Sequence, residues 1–201
     1  MAVNIFERYG IKEVANVYFE ALADDKLSSD IKAGDIVLYL DTLKVSTIEN
    51  TAEQADAKGG KGNAPLIIWD YGREITITLQ DAVLTQETLS MMFEGDAKDS
   101  TNEIVISANT FPGTYAIVGK TFARDINGKD ALFTWYVPKA KVNSEVTLTM
   151  EAEGDPTVFD MNLRVLRDSD GTMVKLIRDT SSSAEATAKA YDPTKDFEKK
   201  S

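Results

Sequence analysis

The sequence predicts a mainly β fold, a β-sandwich or barrel with one short flanking α-helix and a long polar loop or arm. Three observations carry this. Apolar and polar residues alternate through several stretches, which is the period of a half-buried strand. Turn-forming pairs such as Asn127-Gly128 separate those stretches. A single segment combines helical spacing with a capping residue in front of it. Many strands, one helix and a polar excursion fit two packed layers around one core.

Val14 to Leu22 follows Gly10 and is the first strand candidate. Asp35 to Ile48 is a longer one, rich in Ile, Val, Leu and Thr. Asn50 to Asn63 is dominated by small and polar residues around Gly59-Gly60-Lys61-Gly62. It has no apolar periodicity, so it reads as a loop or mobile arm. Leu66 to Trp69 resumes the strand pattern, and Tyr71-Gly72-Arg73 reads as a turn. From Glu74 to Leu79 the side chains alternate, Ile75, Ile77 and Leu79 against Glu74, Thr76 and Thr78. The helix comes next. Thr85 is a plausible N-cap, Glu87 sits in the first turn, Leu89, Met92 and Phe93 share a face, and Gly95 is a natural stop.

The second half is nearly all strand. Glu103 to Ala108, Thr114 to Ile126 and Ala131 to Val137 are candidates, and Asn127-Gly128 predicts a tight hairpin with positive φ at both central positions. Glu145 to Ala152 alternates, with Val146, Leu148, Met150 and Ala152 against Glu145, Thr147, Thr149 and Glu151. Phe159, Met161, Leu163 and Val165 form another buried face, and Asp168-Ser169-Asp170-Gly171 turns the chain into Met173 to Ile177. From Thr180 the sequence lacks periodicity and reads as a flexible tail. Residues 1–179 are therefore expected to form one β domain, with 50–63 as an excursion and 180–201 as the tail. No internal repeat stands out.

Composition narrows the chemistry. With 22 basic and 33 acidic residues the formal net charge is −11. Such a surface repels the DNA backbone, so duplex binding through a basic groove is disfavoured. The 201 residues include no Cys and no His, which excludes thiol nucleophiles, His-dependent triads and the usual structural zinc sets. Carboxylate-only catalysis and oxygen-ligated cations stay open on composition alone. Met1 to Gly10 carries no apolar run, so no signal peptide is expected. No run approaches membrane-spanning length, and Ile36-Val37-Leu38-Tyr39-Leu40 is only strand-sized.

The motifs that invite a functional reading have plainer ones. Gly59-Gly60-Lys61-Gly62-Asn63 is not a phosphate loop, because Gly62 follows the Lys where Ser or Thr is needed and position 56 is Asp where Gly is needed. Asp168-Ser169-Asp170-Gly171 lacks the third ligand and the helices of a calcium loop, and reads as a hairpin turn. The pairs Glu151 with Glu153 and Asp155 with Asp160 could serve a glycosidase, but solvated acids are the better reading. Trp69, Tyr71, Trp135 and Tyr136 are expected in the core, the usual place for aromatics inside apolar strands. No catalytic, cofactor-binding or metal-binding residue, and no cofactor, is expected.

Two blocks carry a family resemblance. Arg73-Glu74-Ile75-Thr76-Ile77-Thr78-Leu79-Gln80-Asp81-Ala82-Val83-Leu84-Thr85, followed by the Leu89-to-Phe93 helix, resembles bacteriophage major tail or tail tube proteins. In those proteins a strand of the form x-T-x-T-L-x-D-A-L-L-S leads into a short helix. Val137-Pro138-Lys139-Ala140-Lys141, then Leu148 to Pro156 and Phe159-Asp160-Met161, is similar to their closing strands. The resemblance spans about half of the chain. It implies a β-sandwich-like virion subunit, not an enzyme, that forms hexameric rings and stacks them into a tube for DNA. Implied partners are the chain itself, with sheath, tape-measure or baseplate proteins beyond it. DNA passes without specific binding, and no membrane is involved. The implied location is the virion tail, assembled in the host cytoplasm. Within that reading Glu145, Thr147, Thr149 and Glu151 are expected to face the lumen, where acidity lets DNA slide. Gly59, Gly60, Lys61, Gly62 and Asn63 are expected in an arm between subunits. The alternatives are another tail component of the same fold (baseplate hub, tail tip or tail completion protein) and, from a different class, a carboxylate-dependent glycosidase or sugar-binding module.

Overall fold

The structure is a computed structural model that describes residues 8–22, 36–93, 96–98, 103–109, 111–143, 159–181 and 183–192. These residues form β1 (Tyr9–Ile11), β2 (Asn16–Ala21), β3 (Ile36–Leu40), β4 (Leu43–Gly59), β5 (Ala64–Asp81), α1 (Gln86–Phe93), β6 (Asp96–Lys98), β7 (Glu103–Val105), β8 (Thr114–Asp125), β9 (Asp130–Val142), β10 (Phe159–Val165), β11 (Lys175–Arg178) and α2 (Ala184–Ala190). The fold is mainly β, as the alternation predicts. Nine strands make one antiparallel sheet in the order β3-β2-β8-β9-β10-β5-β4, with β1 beside β8 and β11 beside β9, while β6 and β7 form a separate ribbon.

The strands at the two ends of that order, β3 and β4, are consecutive in the chain, with Asp41 and Thr42 between them. Seven strands laid flat would stand about 29 Å wide at ~4.8 Å each, beyond the reach of two linking residues. The sheet therefore curls back on itself as a sandwich or barrel, and its ends meet at Thr42. There the Thr42 hydroxyl and the Ala82 amide donate to the Asp81 carboxylate, and the Ala82 amide also donates to the Thr42 carbonyl. Asp81 is buried, so these donors replace the water it has lost.

Inside the curled sheet Val17 and Phe19 of β2, Ile117 of β8, Trp135 and Val137 of β9, Ile77 and Leu79 of β5 and Met161 and Leu163 of β10 form one core cluster. The alternation read from Phe159 to Val165 holds at every position, because β10 buries its apolar face and exposes Asp160, Asn162 and Arg164. The same holds on β5 from Ile75 to Leu79. One end of the core is closed by α1, which buries Met91 and Met92 and packs Phe93 against the cluster. Thr85 caps that helix as expected, its hydroxyl accepting from the Thr88 amide at 3.1 Å. Thr85→Ala should lower stability by about 1 kcal/mol in urea unfolding, with the β signal unchanged. Gly95 lies outside the described residues.

Several boundaries differ from the sequence expectation. Asp35 to Ile48 is not one strand, because the chain passes between the two ends of the sheet at Asp41-Thr42. Asn127-Gly128 does make a hairpin turn, but only Gly128 takes a positive φ, of 83°. The Asp125 carboxylate accepts from the amides of Asn127 and Lys129, at 2.8 and 2.9 Å, and the Gly128 amide donates to the Asp125 carbonyl. That is a type I turn closed by a left-handed glycine, which frees Asn127 from positive φ. The Lys129 and Asn127 amides hold the Asp125 carboxyl below the ordinary aspartate range. The turn's support is therefore complete above that range and is lost as acid protonates Asp125. Asp168 to Gly171 repeats the same backbone pattern, the turn that its sequence suggests.

The expected tail is ordered at its start. Ala184–Ala190 forms α2, which lies against β9 with Ala188 buried. Four alanines at alternate positions are strong helix formers, and Glu185 pairs with Lys189 one turn on at 2.7 Å. Alternate alanines give no 3.6-residue apolar stripe, so the periodicity test missed them. Tyr191 then pins the helix to the outer face of the sheet. Its hydroxyl lies 2.9 Å from that of Tyr18, its ring packs edge-on against Phe122, and Lys120 Nζ sits 5.6 Å above both tyrosine rings. Tyr191→Ala should release α2: hydrogen exchange at residues 184–190 should rise sharply while the sheet stays protected.

Candidate assembly surface

The longest hairpin, β4 with β5, has two unlike halves. In the body half, Ile75, Ile77 and Leu79 enter the core. In the distal half, every residue from Asn63 to Arg73 is exposed. The change falls at a bulge. Thr51 pairs with Glu74 and Glu53 with Tyr71, so Gly72 and Arg73 together oppose Ala52. Gly72 has φ 61°, a conformation that costs a glycine little. The expected turn at Tyr71-Gly72-Arg73 is therefore a bulge inside one continuous strand. From it the distal ribbon, Ala64 to Arg73 with its β4 partners, extends about 30 Å at ~3.3 Å per residue.

The stretch 50–63, expected as a loop or mobile arm, is mostly the outgoing strand of this ribbon. Asn50 to Gly59 pair with β5, and only Gly60 to Asn63 make the turn. The glycines are placed by chain reversal: Gly60, Gly62 and Asn63 have φ 79°, 91° and 53°, and the Asn63 amide donates to the Gly60 carbonyl. Gly59, Gly60, Lys61, Gly62 and Asn63 thus form the tip. The polar strand lacks periodicity because neither of its faces is buried, and periodicity records burial.

Directly opposed residues share a face of a ribbon. One face carries Glu53 with Tyr71, Ala55 with Trp69 and Ala57 with Ile67. The other carries Gln54 with Asp70, their side chains bonded at 2.9 Å, and Asp56 with Ile68. Leu66 opposes no residue, at a second irregularity beyond Ala57. Leu66 is 71% exposed, and Trp69 and Tyr71 are 53% each. The expectation of Trp69 and Tyr71 in the core is corrected: they lie past the bulge, beyond the core cluster of the described residues, and are more than half exposed. Trp135 is buried as expected, and Tyr136 is partly so. The signal that could have separated the pairs was Pro65-Leu66-Ile67-Ile68-Trp69, an unbroken apolar run beside a glycine turn. A strand with one buried face does not read that way.

With Ile67 and Ile68 also more than half exposed, five large apolar side chains stand bare on one ribbon. At roughly 200 Å² each they present on the order of 600 Å² over the two faces of the ribbon, about half of it on the Ile67-Trp69-Tyr71 face. A two-stranded ribbon with no core of its own is marginal in water. Glu145, Thr147, Thr149 and Glu151 lie outside the described residues, as do Glu151, Glu153 and Asp155 of the carboxylate pairs; Asp160 is exposed on β10. Among the described residues no group of three metal-ligating side chains is gathered, and no helix is long and apolar enough to cross a membrane.

The longest hairpin thus leaves the body with large apolar side chains exposed. The chain belongs to the YomU/Tube protein family, which matches residues 9–96 and 93–178. It is thus a structural protein of the phage tube class, as its Arg73-to-Thr85 and closing-strand blocks imply. No curated protein matches the sequence.

Proposed function

We propose that the chain is a tail tube subunit whose copies close into hexameric rings, and that the rings stack into the conduit through which DNA leaves the capsid. The observation that carries this reading is the exposed distal ribbon. Other subunits would give its side chains a dry environment and its backbone a supporting surface. Open strand edges support the same reading: among the described residues β11 pairs only with β9 and β1 only with β8, and pairing across subunits would cover such edges. The acidic lumen is part of the proposal, with Glu145, Thr147, Thr149 and Glu151 as its lining and DNA passing unheld. Sheath, tape-measure or baseplate proteins would meet the tube's outside and ends.

Negative-stain microscopy of the purified chain over a concentration series tests the reading. Rings or tubes of uniform diameter are expected. A chain that stays monomeric at every concentration, with and without a tail initiator complex, would overturn it.

A further inference from the structure

A groove of about 850 Å³ opens on the body of the subunit, where β10 ends and β5 runs on. Its walls come from the body half of β5, the ends of β9 and β10, and the chain just beyond β10. That volume falls within the ~300–1,000 Å³ of clefts that hold ligands.

The walls carry four cations, Arg73, Lys141, Arg164 and Arg167, against one acid, Glu74. The groove is thus +3 on a chain whose net charge is −11. Glu74 answers one of the four, its carboxylate 2.8 Å from the Arg164 guanidinium. Among the described residues Arg73, Lys141 and Arg167 enter no ion pair. The pairing of the strands sharpens the point. Lys141 of β9 stands directly opposite Arg164 of β10, so two like charges share one face with their Cβ atoms about 5 Å apart. Like charges so opposed weaken a sheet, and Lys141 is exposed, so packing does not demand a cation there. A local rule broken at an exposed position marks a site kept for something other than the fold. An anion lying over the pair would relieve the repulsion.

The cations are spread along the groove. Arg73 and Thr76, the β5 partner of Arg164, stand about 10 Å apart along the strand at ~3.3 Å per residue. One small anion reaches only one end of that span. An extended polypeptide with acids at alternate positions sets carboxylates on one face about 6.6 Å apart and follows it. Thr78 donates to the Asn162 side-chain carbonyl at 2.9 Å, which leaves the Asn162 amide group as a donor for such a chain. Leu166 and Met173 add apolar wall beside the charges. No aromatic side chain lines the groove, so the bases of a nucleic acid find no stacking platform, and the rest of the chain repels a phosphate backbone.

We propose that this groove is a docking site for an extended acidic segment of a partner protein, with Lys141, Arg164, Arg167 and Arg73 receiving its carboxylates. The contact does not depend on ring formation and is measured on the subunit before assembly.

Fluorescence anisotropy of a labelled short peptide alternating glutamate and valine, titrated with the chain at low salt, is the test. Saturable binding is expected, lost when glutamine replaces glutamate in the peptide and weakened as salt is raised. Lys141→Glu with Arg167→Glu should weaken binding at least tenfold. The same variant should unfold in urea at the parent's midpoint or above it, because Glu at position 141 turns a repulsive cross-strand pair into an attractive one. A parent chain that does not bind the peptide, or a folded double variant that binds it equally well, would overturn the proposal. Tighter binding of a single-stranded oligonucleotide of equal charge would overturn it too, and assign the groove to phosphates. If circular dichroism shows the double variant unfolded, Lys141→Gln with Arg167→Gln takes its place and is read in the same way.

Discussion

Gly119→Val should cost the fold about 3 kcal/mol or more, and Gly119→Ala about 1–3 kcal/mol, read as lower midpoints in urea unfolding. Gly119 of β8 pairs directly with Trp135 of β9, and the indole lies across the place where a side chain would begin. A Cβ there would stand 2.0, 2.2 and 2.3 Å from three atoms of the ring. No rotamer of the new residue relieves this, because the Cβ itself collides. Nor can Trp135 swing into solvent without loss, since it is 4% exposed and belongs to the core cluster. Glycine in a strand interior ordinarily weakens the strand, so its presence here marks a close approach that the core needs. The cause can be isolated. In a Trp135→Leu background, already weakened by a cavity, Gly119→Val should do far less harm, with a coupling of about 1–3 kcal/mol between the sites. An equal loss in both backgrounds would mean that backbone effects at position 119, and not the ring, set the cost.

Legibility in the sequence followed burial. Phe159 to Val165 and Ile75 to Leu79 each have one covered face, so alternation revealed both strands and the side that enters the core. The α1 cap was legible because Thr85 satisfies an amide that every helix start leaves open. Asn50 to Gly59 was illegible as strand: water faces both its sides, and its pairing with β5 is made by the backbone. Trp69 and Tyr71 misled for the converse reason. An apolar run signals that its side chains will be covered, not which chain covers them. Side chains buried within one subunit and side chains that a neighbour would cover in the proposed tube carry the same hydrophobic signature. They separate only when the bulge at Gly72 is seen to carry the strand beyond its own core.

Ile67→Asp with Trp69→Asp should therefore leave the subunit as stable as its parent and unable to build tubes. Both positions lie beyond the bulge with their side chains already more than half in water, so the monomer should change by less than about 0.5 kcal/mol. Docked, each parent side chain would lose that exposure, at about 1.5–3 kcal/mol for a fully buried large apolar group. Removing two, and placing a carboxylate in each site, weakens every copy-to-copy contact by at least about 3 kcal/mol. That raises the concentration needed for assembly by more than about a hundredfold. Light scattering over a concentration series measures that threshold, and urea unfolding at low concentration measures the subunit. A double variant that assembles at the parent's threshold would remove the ribbon from the contact. One that unfolds early would show that the ribbon serves its own subunit instead. Hydrogen exchange separates the same cases in the parent chain. Amides from Glu53 to Tyr71 should exchange quickly in a verified monomer, because a two-stranded ribbon alone is marginal in water, and slowly once the tube has formed. Strong protection in the monomer would mean that the ribbon needs no partner to hold it.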